Sequence, residues 1–376
     1  MFDSLEKITF WITDRCNLRC KYCPVKKSTK TISFSDAKKL IDILIKSNRK
    51  RIYIAFSGGE PLIEHKLIKR IIKYANKETI HKKKRISYRV ITNGTFLNAD
   101  ILSMIKEYDL QVTVSVDGSR RTHNRNRVFK NGKGSYDCVK KNIRRILDTK
   151  SEVDLALVFD IYSKSIVQDL DNLITLGAKN ISLDLNIYHY NRGYDKNTYD
   201  GFIKKIAGWY IKFFEKNKKL PSVLRLNRLL ARSYDYEQFG IVTRKSFCKF
   251  GAGEYFCIDE NSKVYPCFFY KNKKEFSFGS AKNFDTAKYN MFRVMNLSFC
   301  RDFKKCENCR ANKICDKNIC PGINLFTTGN SFTDDFTLCR SALLFFDVSN
   351  KVWTRLKNDK KFLWLIKKEP REKIII

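Results

Sequence analysis

From residue 7 to about 217 the chain alternates short apolar runs with segments whose apolar residues recur every three and four positions. The runs ITFWIT, RIYIAFS, SYRVITN, LQVTVSVD, VDLALVFDI and NISLDLNIY predict six strands. Between them, Ala37, Leu40, Ile41 and Leu44, and then Ile68, Ile71, Ile72 and Ala75, each draw one apolar stripe along a helix. Ser33, three residues before Asp36, supplies a hydroxyl and a carboxylate where the first helix must satisfy free N–H groups. Strand and amphipathic helix in alternation predict an α/β fold with a parallel sheet, and six units predict a partial (β/α)6 barrel over residues 1–235. From about 196 to 235 the pattern is helical with no strand after it, and a cysteine-rich stretch begins at 248. A boundary is therefore expected near 235–247, with a second domain over 236–345 and a basic, helical tail over 346–376.

No run reaches the roughly 18 apolar residues a membrane span needs. The first residues, MFDSLEKITFWITDRC, lack a basic region followed by an apolar stretch and cleavage site. A cytoplasmic location without membrane contact is expected. Thirteen cysteines, an odd number crowded into two zones, fit metal or catalytic use better than a disulfide scaffold. Isolated Cys138, on a predicted helix, reads as packing. The formal net charge of +35 raises nucleic acid as a partner. The lysines are scattered, however, as in NRKR at 48–51, HKKKR at 81–85 and KNKK at 271–274. Solvated faces, or attraction of an acidic peptide, are the preferred readings.

Chemistry concentrates first in Cys16-Asn-Leu-Arg-Cys20-Lys-Tyr-Cys23, three thiols within eight residues directly after the first predicted strand. A structural zinc site prefers four closed ligands, and no fourth Cys or His lies nearby. Three cysteines on a [4Fe–4S] cluster leave one iron open to a substrate or cofactor.

This C-x3-C-x2-C loop, with Tyr22 before its last cysteine, resembles the signature loop of the radical S-adenosylmethionine (SAM) superfamily. Ser57-Gly58-Gly59-Glu60-Pro61 resembles the family's GGEP segment, whose backbone receives the methionine amino group; glycine suits close approach of main chain to a ligand. Thr92-Asn93-Gly94-Thr95 and Ser115-Val116-Asp117-Gly118 end the third and fourth strands, where the family places polar groups near ribose and methionine. The stretch holding His123, Asn124 and Arg127 is also similar. The resemblance covers roughly residues 5–215. It implies Cys16, Cys20 and Cys23 as cluster ligands and catalytic residues, and Tyr22, Gly58, Gly59, Glu60, Asn93, Ser115, Asp117 and Arg127 as cofactor-binding residues.

Nine more cysteines lie between positions 248 and 339. Cys306-x2-Cys309-x5-Cys315-x4-Cys320 with Cys339, Cys248 and the ValTyrProCys ending at Cys267 resembles the SPASM extension of peptide-modifying radical enzymes, which carries two auxiliary [4Fe–4S] clusters. The resemblance implies Cys248, Cys267 and Cys320 for one cluster and Cys306, Cys309, Cys315 and Cys339 for the other. Ser262 stands where a hairpin glycine is usual, and the Cys315–Cys320 gap is one residue longer than usual. Cys257 has no fixed counterpart; it is either the fourth ligand of the first auxiliary cluster or a core residue. Cys300 is not an expected ligand. Paired zinc ribbons are the rival reading of these thiols.

The cofactors so implied are one radical-generating [4Fe–4S] cluster, two auxiliary clusters and SAM. Reductive cleavage of the sulfonium gives a 5′-deoxyadenosyl radical that abstracts hydrogen from unactivated carbon. In layout the chain is similar to anaerobic sulfatase-maturating enzymes, which place an acidic residue after the ProCys of the hairpin; here Phe268 stands there. Maturation of a ribosomally made peptide by crosslinking, thioether formation or epimerisation is therefore preferred to formylglycine formation. The expected partners are a peptide or protein substrate and a reductant such as flavodoxin or ferredoxin. The start of the chain is expected to leave no room for a leader-recognition domain, so a leader would bind a separate protein or the basic surface. A radical enzyme acting on RNA, or a zinc-ribbon nucleic-acid-binding protein, is the alternative that the charge keeps open.

Overall fold

The computed structural model describes residues 3–186, 195–240, 253–299, 306–315, 320–332 and 337–370. Its first six strands are β1 (Lys7–Thr13), β2 (Arg51–Gly58), β3 (Arg85–Thr92), β4 (Gln111–Ser115), β5 (Val153–Phe159) and β6 (Asn180–Leu185), each pairing in parallel with the next. Helices α1 (Phe34–Lys46), α2 (His65–Thr79), α3 (Ala99–Glu107), α4 (Arg120–Asn126), α5 (Tyr136–Asp148) and α6 (Ile166–Thr175) join them. The expected stripes are buried: Ala37, Leu40, Ile41 and Leu44 on α1, and Ile68, Ile71, Ile72 and Ala75 on α2. Each large apolar side chain so removed from water contributes about 1.5–3 kcal/mol. Ser33 caps α1 by accepting from Asp36 N at 3.1 Å, and its hydroxyl donates to the Asp36 carboxylate at 2.6 Å.

The opposite face of the sheet is polar. Arg89 donates to Thr113 at 2.9 Å, to Asp154 at 3.0 Å and to Gln111 at 2.9 Å. Asn180 donates to the other Asp154 oxygen at 2.8 Å. This inward layer joins β3 to β6 through hydrogen bonds and an ion pair.

The segment read as one helix is two, α7 (Lys196–Asn217) and α8 (Leu224–Phe239). Lys218 turns left-handed at φ 50°, and Pro221, lacking an N–H, cannot continue the helix. The cysteine-rich half joins the same sheet. Strand β7 (Tyr255–Ile258) runs parallel to β1 on its free side, from Lys7↔Tyr255 to Phe10↔Ile258, and β8 (Val264–Tyr265) returns antiparallel. The sheet is open, in the order β6-β5-β4-β3-β2-β1-β7-β8. Ser262 in the β7–β8 turn has φ 63°, which explains why glycine is usual there, and its hydroxyl donates to Asp36 at 2.6 Å. Helices α9 (Thr286–Phe299), α10 (Pro321–Thr328), α11 (Thr337–Leu356) and α12 (Lys360–Lys368) follow, α11 packing on α7 and α8. Among the described residues no helix is long and apolar enough to cross a membrane.

Candidate active site

The polar and glycine-rich segments all sit at the C-terminal ends of β1 to β4, the edge where open parallel sheets place ligands. Two glycines clamp the first loop there. Gly59 N donates to Thr13 O and Glu60 N to Arg15 O, both at 2.7 Å. A Cβ on Gly59 would lie 2.3 Å from Arg15 O, and one on Gly58, whose φ is 140°, would lie 2.5 Å from Thr13 O. These contacts are backbone to backbone, so nothing flexible can yield. Gly59→Ala is expected to lower the unfolding midpoint of the purified protein by several degrees. Gly208→Ala on α7, with nothing within 4 Å of the new methyl, should hold or raise it.

The cysteine loop is held on its other side by the segment after α4. Leu18 bridges Phe129, Arg19 N donates to Val128 O at 2.9 Å, and Lys21 N donates to Asn126 O at 3.0 Å. Cys16 is buried, while Cys20 and Cys23 are half-buried. Burial pushes the Cys20 thiol up to about 11 against the pull of the Arg127 charge, with Cys23 and Cys16 adding to the rise. The three thiols thus share one electrostatic neighbourhood. Donors already point at two of them: Leu18 N at 3.5 Å and Asn93 Nδ2 at 3.7 Å from Cys16 Sγ, and Lys27 Nζ at 3.3 Å from Cys23 Sγ.

Asp117 organises the far wall. Its fully buried carboxylate accepts from Arg127 Nε at 3.0 Å, Tyr22 OH at 2.5 Å and Asn126 Nδ2 at 3.3 Å. The Arg127 guanidinium also lies 5.3 Å from the Tyr22 ring centroid. Asp117 N donates to His123 Nδ1 at 3.3 Å, so the ring proton sits on Nε2, 2.9 Å from Ser135 Oγ, whose hydroxyl donates to Arg127 O at 2.8 Å. Burial and the Arg127 charge lower His123 to about 4, which keeps it neutral. Fully buried Glu60 accepts from Leu62 N at 3.0 Å, Thr92 Oγ1 at 2.7 Å and Asn93 N at 2.7 Å, and burial raises it to about 7 against those donors. Its carboxylate therefore ties the end of β2 to the end of β3. Asn93 also donates to Asn17 at 2.9 Å, and Asn17 to Thr95 at 2.7 Å. Ser115, half-buried, follows Gln111 and Thr113 on the inward face of β4.

Beyond the barrel four thiols lie within electrostatic reach of one another. The Cys339 thiol is pushed up to about 12 by burial and by Cys315, Cys306 and Cys309 beside it. Gly322, two residues after Cys320 at the start of α10, packs on the Cys267 loop; a Cβ there would lie 2.8 Å from Phe269 Cβ and 3.2 Å from Cys267 Sγ. Cys257 is buried inside β7, its thiol 3.9 Å from Ile258 O, and the charges acting most on it are Asp259, Lys271, Glu260 and Lys7. Cys138, half-buried, points at Thr95 O at 3.4 Å. Cys248 and Cys300 lie outside the described residues.

One cluster carried no sequence motif. Lys271 Nζ lies 2.8 Å from both Asp14 Oδ1 and Glu260 Oε2, and 4.8 Å from the Trp11 ring centroid, with all three charged side chains under 10% exposed. Trp11 Nε1 also donates to Asp14 at 2.8 Å. The triad fastens the turn after β8 to the residue that opens the cysteine loop. The neighbouring carboxylates are likewise engaged: Glu260 accepts from Asn261 Nδ2 at 2.8 Å, and Asp259 accepts from Asn261 N and Lys263 N at 2.9 and 2.8 Å.

An open parallel sheet with three thiols on its first loop and glycine at the next strand end is the architecture of a radical SAM domain, and residues 12–186 match the family described as the Radical SAM superfamily. This stretch, just under half of the chain, is a radical SAM domain, and such a domain implies a [4Fe–4S] cluster and SAM. Among its relatives, an uncharacterized protein (MJ0907) of Methanocaldococcus jannaschii is 33% identical over 187 residues, 49% of this chain and 64% of that protein. The chain thus spans less than two thirds of that relative. A cysteine-type anaerobic sulfatase-maturating enzyme of Clostridium novyi is 24% identical over 361 residues, 89% of this chain and 93% of that enzyme. Two solved structures share the fold. The structure of anSMEcpe with bound AdoMet has a TM-score of 0.77 at 16% identity, covering 97% of this chain and 98% of that one. Streptococcus suis SuiB bound to precursor peptide SuiA has 0.62 at 15%, covering 89% and 76%.

Proposed function

We propose that Cys16, Cys20 and Cys23 hold a [4Fe–4S] cluster and that the enzyme uses it with SAM to modify a ribosomally made peptide by crosslinking, thioether formation or epimerisation. The observation that carries the peptide reading is the second thiol group, Cys306, Cys309, Cys315 and Cys339, set beyond a radical SAM barrel. The residues present suit the cofactors in kind: three thiols on one loop lie within electrostatic reach of one another, and Gly58 and Gly59 hold that loop through its main chain. When bound, the cluster and SAM supply an electron and a carbon radical able to abstract hydrogen. The chain's own part is positioning and charge. Leu18 N, Asn93 and Lys27 donate to ligand sulfurs and Arg127 offsets their negative charge, while Asp117 holds Arg127 and Tyr22 in place.

In this reading Cys306, Cys309, Cys315 and Cys339 hold one auxiliary cluster, and Cys248, Cys267 and Cys320 hold another. Cys257, buried in β7 with Asp259, Lys271, Glu260 and Lys7 as the charges acting most on it, is in this reading a core residue. Anaerobically reconstituted protein is expected to hold three clusters, about 12 irons per chain. A preparation saturating near four irons with stoichiometric zinc would overturn the auxiliary assignment. The electrons come from a reductant such as flavodoxin or ferredoxin, and a leader, if the substrate has one, binds a separate protein or the basic surface.

Formylglycine formation is the second reading, favoured by the match across 93% of the sulfatase-maturating relative. Oxidation of a Cys or Ser side-chain carbon releases protons, and a carboxylate in reach is the natural base. Phe268 cannot accept one, and Asp259 and Glu260 are committed to the β7–β8 turn and to Lys271. A sulfatase-motif peptide incubated anaerobically with enzyme, SAM and reductant should show no formylglycine by mass spectrometry, and Phe268→Asp alone should not install it. Clear aldehyde formation by the unaltered protein would replace the first reading with the second.

A further inference from the structure

Next to Cys267 and on α10 after Cys320, three aromatic rings remain wholly or partly exposed. Phe268 and Phe326 are 46% and 39% exposed, and half-buried Phe269 lies between them, its centroid 4.3 Å from Phe268 and 6.5 Å from Phe326. Gly322 allows this shelf to form, since any larger residue would push α10 off Phe269. The turn that follows Phe268 is tied to the residue that opens the first cysteine loop. Lys271, three residues after Phe268, is bonded to Asp14, and Lys30 Nζ donates to Asn261 at 3.0 Å.

These flanking segments share one sign of charge. Residues 21–30 carry Lys21, Lys26, Lys27 and Lys30 and no acid, and exposed Lys273 and Lys274 follow the shelf with only Glu275 against them. Lys27, itself exposed, donates to Cys23, and its charge acts on buried Glu60. An exposed aromatic shelf followed in the chain by lysines, with more lysines on the cysteine loop to which that segment is tied, together the lysine rim, complements a chain that is acidic and carries a ring or large aliphatic group.

We propose that the substrate segment is acidic and bears an aromatic or large aliphatic side chain beside the modified residue, seated on the Phe268–Phe269–Phe326 shelf with its carboxylates on the lysine rim. This rests on the peptide reading and names the class of peptide. The test uses the full chain, purified anaerobically, and fluorescence anisotropy of three labelled 12-residue peptides: one rich in Asp and Glu around a central Phe, the same with Phe replaced by Ala, and the same with its acids replaced by Lys. The first should bind about tenfold or more tighter than either other, the gain from burying one ring or keeping the charges. Phe268→Ala/Phe326→Ala should erase the advantage of the ring and keep that of the acids. Lys26→Glu/Lys274→Glu should do the reverse. Both double variants change exposed side chains, so the fold is retained. If the peptides bind alike, or the preference for Phe survives loss of both rings, the shelf is wrong and the peptide reading stands. If none binds, while a 12-nucleotide RNA does, both fail and the rim belongs to nucleic acid.

Discussion

Replacing Cys16, Cys20 and Cys23 together by alanine is expected to abolish SAM cleavage while leaving the iron bound downstream. The loop that carries these thiols is fixed by main chain, through Gly59 and Glu60 on one side and residues 126–128 on the other, so the substitution should remove ligands without removing the loop. Cys306, Cys309, Cys315 and Cys339 form a separate neighbourhood in which the charges raising Cys339 are those of its own group. The measurement is 5′-deoxyadenosine formed per chain under dithionite, read beside iron content. Loss of at least about a thousandfold in cleavage, to background, with roughly two thirds of the iron retained, is the expected pair of results. Cleavage that survives would move the radical chemistry elsewhere in the chain. Loss of all iron would instead count against clusters downstream that bind independently of the first.

The strands and the first two helices were legible because each writes its burial into local periodicity. Strand β5 alternates buried Val153, Leu155, Leu157 and Phe159 with half-buried neighbours, and α2 repeats its apolar residues at helical spacing. The cysteine loop was legible for a different reason, since thiols at fixed spacing answer to chemistry rather than to packing. The glycine pair, read as an approach to a ligand, also lets the main chain of Thr13 and Arg15 come close, which the sequence did not announce. The break between α7 and α8 was missed even though Pro221 marks it, because the apolar pattern resumes after the turn. Pairings across the chain leave no such trace. The ion pair of Lys271 and Asp14 joins positions 257 apart, and before folding Lys271 is one lysine in a basic run. Arg89 likewise looks like an interruption of a strand until Gln111, Thr113 and Asp154 arrive from two other strands. Addition of β7 to the free side of β1 was also invisible, because the cysteines that mark the second domain say nothing about which strand edge receives it.

Asp117→Ala should be the most damaging single change to stability among the residues around the loop. Wild-type Asp117 is wholly buried, and Arg127 is 7% exposed. Arg127 stays charged: the Asp117 carboxylate raises its pKa against the opposing effect of burial. Removing the carboxylate leaves that guanidinium buried without its counter-charge, a loss of about 3–5 kcal/mol, whereas removing both partners together relieves much of it. Asp117→Ala should therefore lower the anaerobic thermal midpoint by several degrees, and Asp117→Ala/Arg127→Met should recover part of the fall. Tyr22→Phe, which deletes one hydroxyl donor to the same carboxylate, should cost only about 1 kcal/mol. The ordering of the three variants is the decisive result. If the double variant were less stable than Asp117→Ala alone, Arg127 would be stabilising the fold through contacts other than Asp117, and the carboxylate would lose its place as the anchor of the wall facing the cysteine loop.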